Sequence, residues 1–375
     1  MQAESSAGSY TGWAVLPTGL WHGQLAWIDG QIRQADERPT DRSFSPGQTL
    51  ALPGFIDTHI HGGMGRDFMD GGDAAAHIAK AHARFGTTAL LATTLTAPLS
   101  DLKAAFESVK AAMHRPSAGA AHILGMHLEG PYINPGKLGA QPAFARSGDA
   151  AEIELLHAIA AIRVITLAPE LPGHDALIDG LVQRGIRVQL GHSNASYEQA
   201  AAALKRGASG VTHVFNAMSA FQHRAPGVAG AALAHAIHAE VIADTLHVHP
   251  GAIRVALRCI PQLFCVSDAT AATGMPDGSY PLGSQTVHKC LGAVRLADGT
   301  LAGSCVTMAQ TFANLVDVLG LDVCQASALT ATRAARYLGL ADRGELRVGS
   351  IADVAVLGAD WQVERVVARG FEVRI

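Results

Sequence analysis

PGFIDTHIHGG, residues 53–63, is an apolar run that turns polar at one end only. In an extended strand, side chains two apart point the same way, so Asp57, His59 and His61 are expected to share a face. Two imidazoles on one face can hold a divalent metal, since neutral imidazole is the commonest such ligand. Hydrogen-bonded strand histidines would give the same pattern, so the choice depends on the rest of the chain.

Working outward from that run, short apolar stretches recur, each followed by a helix-like stretch. Eight strands are expected: 54–60, 88–95, 122–128, 163–167, 187–191, 211–215, 240–246 and 264–267. Several are apolar almost throughout, as strands covered by helices should be. Between them, SYEQAAAALKRG (residues 196–207) opens on a capping serine and closes on glycine. Eight such units predict an α/β fold, a (β/α)8 TIM barrel, over an open doubly wound sheet. The first 50 residues and the last 30 carry short alternating segments instead. They are expected to pair in a small β-sandwich domain built from both termini, with boundaries at 1–51, 52–340 and 341–375.

Polar residues gather at one end of these strands. Asp57, His59 and His61 end the first, Glu129 the third, His192 the fifth, His247 the seventh and Asp268 the eighth, and His213 lies on the sixth. Strand C-termini of such a barrel converge on one mouth, so these groups are expected to meet. Glu129 lies in HLEGPYINPGKLGAQ (127–141), where Gly-Pro forces the chain to turn. His192 in LGHSNA and His213 in THVFNAMSAFQHRAPG are single histidines in apolar runs. One such histidine is usually a satisfied core residue. Two of them with Glu129 make three ligands and an open position, the catalytic rather than the structural pattern. Asp268, in FCVSDAT, is costly in an apolar strand unless it is paired or does chemistry. Beside a metal it could accept a proton from attacking water and return it to a leaving amine. Asn216, Ala217 and Arg224 follow the sixth strand, where backbone N–H groups and a guanidinium could hold a phosphate.

Composition narrows the classes. The chain has 375 residues, 49% hydrophobic and 16% charged, with a formal net charge of −4. That composition supports a large core and has no basic footprint for nucleic acid. Five cysteines without a C-x-x-C pair fit a reducing compartment better than a disulfide framework or a cysteine zinc site. No apolar run reaches the ~20 residues of a membrane span. The N-terminal MQAESSAGSY has no basic-then-apolar leader pattern, so a cytoplasmic protein is expected. No P-loop or G-x-G-x-x-G run supports nucleotide chemistry.

Taken together and in order, PGFIDTHIHG, HLEGPYINPGKLGAQ, LGHSNA, THVFNAMS, HRAPGVAGAAL, IADTLHVHP, VSDAT and LAGSCVTMAQ resemble the N-acetylglucosamine-6-phosphate deacetylase family of amidohydrolases. The resemblance runs from about Leu52 to the final strands. It implies a homodimeric, metal-dependent enzyme that removes acetate from a 6-phosphosugar amide. By motif it makes Glu129, His192 and His213 metal ligands and Asp268 the catalytic carboxylate. Ala140, Gln141, Asn216, Ala217, Arg224, His247 and the 301–303 loop (Leu301, Ala302, Gly303) become substrate contacts. His59 and His61 match a pair that some members use for a second ion, so one or two ions per subunit are implied, zinc first, with iron, manganese or cobalt as alternatives. Gln141 stands where many members have histidine. It could donate a hydrogen bond to a developing oxyanion but cannot carry a positive charge.

Three other readings compete. The galacto epimer of the substrate would use the same motifs. Cyclic-amide hydrolases share the His-x-His but use a lysine at the fourth strand end, where this chain runs VITLAPE (164–170). A non-catalytic metal- or sugar-phosphate-binding barrel would be favoured by loss of Asp268 or a ligand, and all are present.

Overall fold

Eight parallel strands occupy the expected positions in the computed structural model, which describes residues 6–37, 43–45 and 47–375. They are Phe55–Ile60, Thr87–Thr93, His122–Glu129, Ile162–Leu167, Arg187–Leu190, Gly210–Val211, His238–Ile242 and Gln262–Val266. The first six pair side by side in order, and the last two pair with each other. Two seams close the ring. Val214 N donates to Glu240 O (2.8 Å) between the sixth and seventh strands, and Asp268 N donates to His59 O (2.9 Å) between the eighth and first. The result is the (β/α)8 barrel that the run-and-helix alternation predicts.

A helix follows every strand: Ala74–Ala83, Leu99–His114, Ala150–Ile159, His174–Gln183, Tyr197–Lys205, Gly227–His235, Pro250–Cys259 and Met308–Asp317. Local chemistry sets their starts. Ser196 accepts from Gln199 N while Gln199 Oε1 accepts from Ser196 N, a capping box that satisfies two N-terminal donors. Asp149 and Thr307 cap their helices in the same sense.

The two chain ends meet in one seven-stranded sheet. Its order is Phe371–Glu372, Val363–Ala368, Val354–Leu357, Leu50–Pro53, Gly8–Leu16, Gly19–Ile28, Gln31–Ala35. Period-2 alternation gives it two buried faces. Trp13, Val15, Leu50, Leu52, Ala355 and Leu357 join the main core. Their neighbours Ala14, Leu16, Ala51, Val354 and Val356 pack with Leu25, Trp27 and Ile32 in a second core on the other side.

Three expectations change. The sixth strand stops at Val211, because His213 and Phe215 take positive φ (28° and 82°) and leave the extended region. The seventh stops at Ile242, so His247 sits in the loop beyond it. Between the eighth strand and its helix an antiparallel unit, Gly278–Leu282, Gln285–Cys290 and Ala293–Arg295, adds a cover that the sequence reading omitted. All five cysteines are free thiols. Among the described residues no helix is long and apolar enough to cross a membrane. The leader reading falls partly on residues 1–5, which lie outside the described residues.

Candidate active site and metal centre

The strand ends aim the functional side chains. His59 lies within the first strand and His61 just past it, and Glu129 is the last residue of the third. His192, His213 and Asp268 each sit two residues beyond a strand and have positive φ, 48°, 28° and 51°. Non-glycine residues rarely adopt that region, and where they do the surrounding structure holds them there, often at functional sites. Gly130 shows why the carboxylate is followed by glycine. Its φ is +67°, and a Cβ there would stand 2.2 Å from Thr96 Oγ1.

Two groups of ligand-type atoms result, side by side: Glu129, His192 and His213, and His59, His61 and Asp268. In the first, the Nε2 atoms of His192 and His213 are 3.1 Å apart, and each is 3.1 Å from the same Glu129 Oε1. In the second, His59 and His61 bring their Nε2 atoms to 3.2 Å, and His61 Nε2 lies 3.1 Å from Asp268 Oδ1. Glu129 joins them, with Oε2 3.2 Å from His61 Nε2 and Oε1 3.4 Å from His59 Nε2. All six are buried.

This donor set fits a cation. His192 Nδ1 faces the Lys137 carbonyl at 2.9 Å, and a carbonyl only accepts, so Nδ1 donates there and Nε2 is the atom left facing Glu129. At 3.1 Å, that nitrogen and the carboxylate oxygen need a proton or a cation between them. The electrostatics of the site point the same way. Burial opposes a proton on His61, yet the bonds from Asp268 and Glu129 outweigh it and hold its pKa up at about 9. Burial would raise Asp268, yet the His59 charge and the His61 bond hold it down at about 2. The buried carboxylates thus remain ionised and ask for a cation, and either group offers the imidazole-and-carboxylate chemistry that suits a divalent ion.

A cavity of about 200 Å³ opens onto both groups. Of the residues singled out in sequence, His61, Glu129, Ala140, Gln141, His192, His213, Asn216, Ala217, His247, Asp268, Leu301 and Gly303 line it. His59 lies just beneath the wall, and Ala302 is buried behind it with Leu95 and Val294. Arg224 is exposed on the loop after the sixth strand and is not on the cavity wall. Asp57 does not join its strand-mates at the site. Its Oδ1 accepts from His59 N and Ser267 N (3.2 Å each), and burial pushes its pKa up to about 7.

Gln141 is committed differently from the sequence expectation. Its Nε2 donates to Glu129 Oε2 at 2.5 Å and its Oε1 accepts from Thr96 N at 2.7 Å, so it braces the carboxylate shared by the two groups. His247 Nδ1 pairs with Asp244 Oδ2 at 2.7 Å, and that bond outweighs burial to raise its pKa. Leu95, Gly139, Leu282 and Thr300 also line the cavity and were not anticipated. Leu282 comes from the unforeseen antiparallel unit. Glu240, beneath His59, was placed on its strand but not weighed, although an acid within HAEVI carries the same burial argument as Asp268.

The profile of the Amidohydrolase family matches residues 50–372. The chain belongs to the amidohydrolase family. Among curated relatives, it is 39% identical to an N-acetylglucosamine-6-phosphate deacetylase of Vibrio furnissii, over 91% of this chain and 86% of that protein. It is 37% identical to an N-acetylgalactosamine-6-phosphate deacetylase of Escherichia coli O157:H7, over 92% and 93%. Among solved structures, an Asp-to-Ala variant of the Mycobacterium smegmatis N-acetyl-D-glucosamine-6-phosphate deacetylase, in complex with N-acetyl-D-glucosamine-6-phosphate, superposes with a TM-score of 0.90. That pair is 32% identical and covers 98% of this chain and 100% of the other. This amidohydrolase is a hydrolase; its family implies a divalent metal, and its mouth carries residue groups that could hold one.

Proposed function

We propose that this amidohydrolase removes the acetyl group of N-acetyl-D-glucosamine 6-phosphate, giving D-glucosamine 6-phosphate and acetate, in amino-sugar catabolism. The observation that carries the reading is Asp268, a carboxylate on the cavity wall 3.1 Å from His61, in the same cavity that Glu129, His192 and His213 line. Glu129, His192 and His213 would hold one divalent ion, zinc by preference, and His59 and His61 a second. A bound ion supplies Lewis acidity, which makes water a better nucleophile and polarises the acetamide carbonyl. Asp268 accepts a proton as the water oxygen bonds to the carbonyl carbon. It returns that proton to the amine nitrogen as the C–N bond breaks and acetate leaves. Within one chain, Asn216, Ala217 and His247 would bind the sugar phosphate, a reading supported by their position on the cavity wall, and Gln141, which donates to Glu129, would hold that carboxylate in position.

The galacto epimer is a second reading. It is favoured by the 37% identity to a relative acting on that sugar, close to the 39% for the gluco relative. A homodimer and a reducing cytoplasmic setting complete the proposal, the latter supported by five free thiols. The test is acetate release from both 6-phosphosugars and from unphosphorylated N-acetylglucosamine. Turnover of the gluco phosphate well above the other two is expected. Preference for the galacto phosphate would reassign the substrate. No turnover of any of the three by metal-loaded protein would sink the deacetylase reading. Light scattering after gel filtration at twice the chain mass would support the dimer.

A further inference from the structure

Beneath His59, on the side away from the cavity, stands a carboxylate that the proposed reaction does not use. Glu240, on the seventh barrel strand, has no exposed surface. Its Oε2 is 3.0 Å from His59 Nδ1, and its Oε1 accepts from Thr58 Oγ1 (2.9 Å) and Gln189 Nε2 (3.1 Å). Gln189 is held in turn by Thr212, whose hydroxyl donates to Gln189 Oε1 at 2.8 Å. Burying an ionised carboxylate is expensive unless it is paired and fully hydrogen-bonded. Glu240 meets that condition: its Oε1 takes two donors and its Oε2 pairs with the His59 ring nitrogen.

The neighbouring His127 is committed elsewhere. Both its ring nitrogens are engaged, Nδ1 with Thr58 O (2.9 Å) and Nε2 with Thr166 Oγ1 (2.7 Å), so it has no free lone pair to offer. What remains is one contact with consequence for the cavity, Glu240 to His59. With Oε1 already accepting two hydrogen bonds, Glu240 serves as an acceptor, so His59 donates from Nδ1 and Nε2 turns to Glu129 and Asp268.

We propose that Glu240 is the positioning residue of His59: it fixes the ring's tautomer and orientation and thereby decides whether the His59–His61–Asp268 group holds a second divalent ion. This rests on the metal centre proposed above and not on the identity of the sugar. Glu240 hydrogen-bonds none of Glu129, His192 or His213, so its influence is selective for one of the two groups. Partners that orient a ligand from behind typically control metal affinity by about 10- to 100-fold.

The test is zinc binding to chelated full-length protein, read as affinities and number of ions by competition with a chromophoric chelator. Wild type is expected to hold two ions. Glu240→Gln is expected to keep the first and bind the second about 10- to 100-fold more weakly. His59→Asn should lose the second outright, and the double variant should be no worse than His59→Asn, since both act through one ring. Unchanged affinities in Glu240→Gln, equal weakening of both ions, or additive losses in the double variant would overturn the proposal. A wild type that holds a single ion would overturn it too. A wild type that binds no zinc would instead overturn the metal centre itself, and this proposal with it. Should Glu240→Gln fail to fold by circular dichroism, Thr58→Val removes one donor to Glu240 and leaves Gln189. It should weaken the second ion in the same direction but less, and no change there would count against the role.

Discussion

The two ligand groups at the barrel mouth are built in opposite ways. Glu129, His192 and His213 come from the third, fifth and sixth strands, and only the closed barrel brings them to 3.1 Å. Their supports are loop groups: the Lys137 carbonyl behind His192 and the Gln141 amide behind Glu129. His59, on the first strand, and His61, just past its end, are two residues apart and need only Asp268 from across the seam. Their support is the buried carboxylate network under His59. The first group therefore depends on tertiary assembly with light bracing. The second is prefigured locally, and the cost of burying Glu240 falls on it. Glu129 belongs to both, so the two are expected to respond together to some changes and separately to others.

The largest effect separates them most sharply. His192→Ala removes a ligand of the first group alone, and turnover should fall to the background of chelated protein, checked by acetate release beside metal analysis. Retention of full activity would mean that the first group is not the reaction centre. Next comes Asp268→Asn, which keeps the shape but cannot take the proton. A fall in kcat of about 10²–10⁴-fold is expected, with the ion at Glu129, His192 and His213 still bound. Gln141→Leu tests the shared brace. It leaves Glu129 Oε2 and Thr96 N short of a partner, which should cost about 1–3 kcal/mol of stability by chemical denaturation. An unchanged denaturation midpoint would show that Gln141 does not brace the carboxylate.

The smallest effect concerns the turn that carries the His61 end. Buried His82 hydrogen-bonds the Gly62 carbonyl at 2.8 Å, and burial lowers its pKa to about 4. Its folded pKa lies below the free value near 6.5, so its stabilisation is whole above pH 6.5 and is lost as pH falls towards 4. By pH 5 the loss from this one group is about 2 kcal/mol, and His82→Gln, which cannot protonate, should flatten the acid limb of the stability curve by that amount. An acid limb identical to wild type would contradict the assignment. Activity at neutral pH should barely change.

How much of this was legible follows from the same contrast. Apolar runs, caps and the polar bias of strand ends revealed the barrel, because period, punctuation and burial are local properties. The His-x-His pair was legible for the same reason. His192 and His213 were not interpretable alone, and they became candidate ligands only once a barrel was assumed to bring strand ends together. The left-handed backbone at His192, His213 and Asp268 left no mark in sequence, since nothing about a histidine or aspartate announces positive φ. That backbone also shortened the sixth strand below its apolar run. Gln141 could be placed at the mouth but not given its partner, because Glu129 and Thr96 reach it only through the fold. The antiparallel cover was missed because QTVHKC buries Val287 alone, leaving little apolar alternation to find.

The central claim is that the groups at this mouth make a divalent-metal hydrolytic centre. Its most direct test is acetate release from N-acetyl-D-glucosamine 6-phosphate by one preparation, measured as purified, after exhaustive chelation, and after adding zinc back. Activity should vanish on chelation and return with zinc. Chelated protein that turns over at the full rate would contradict the account.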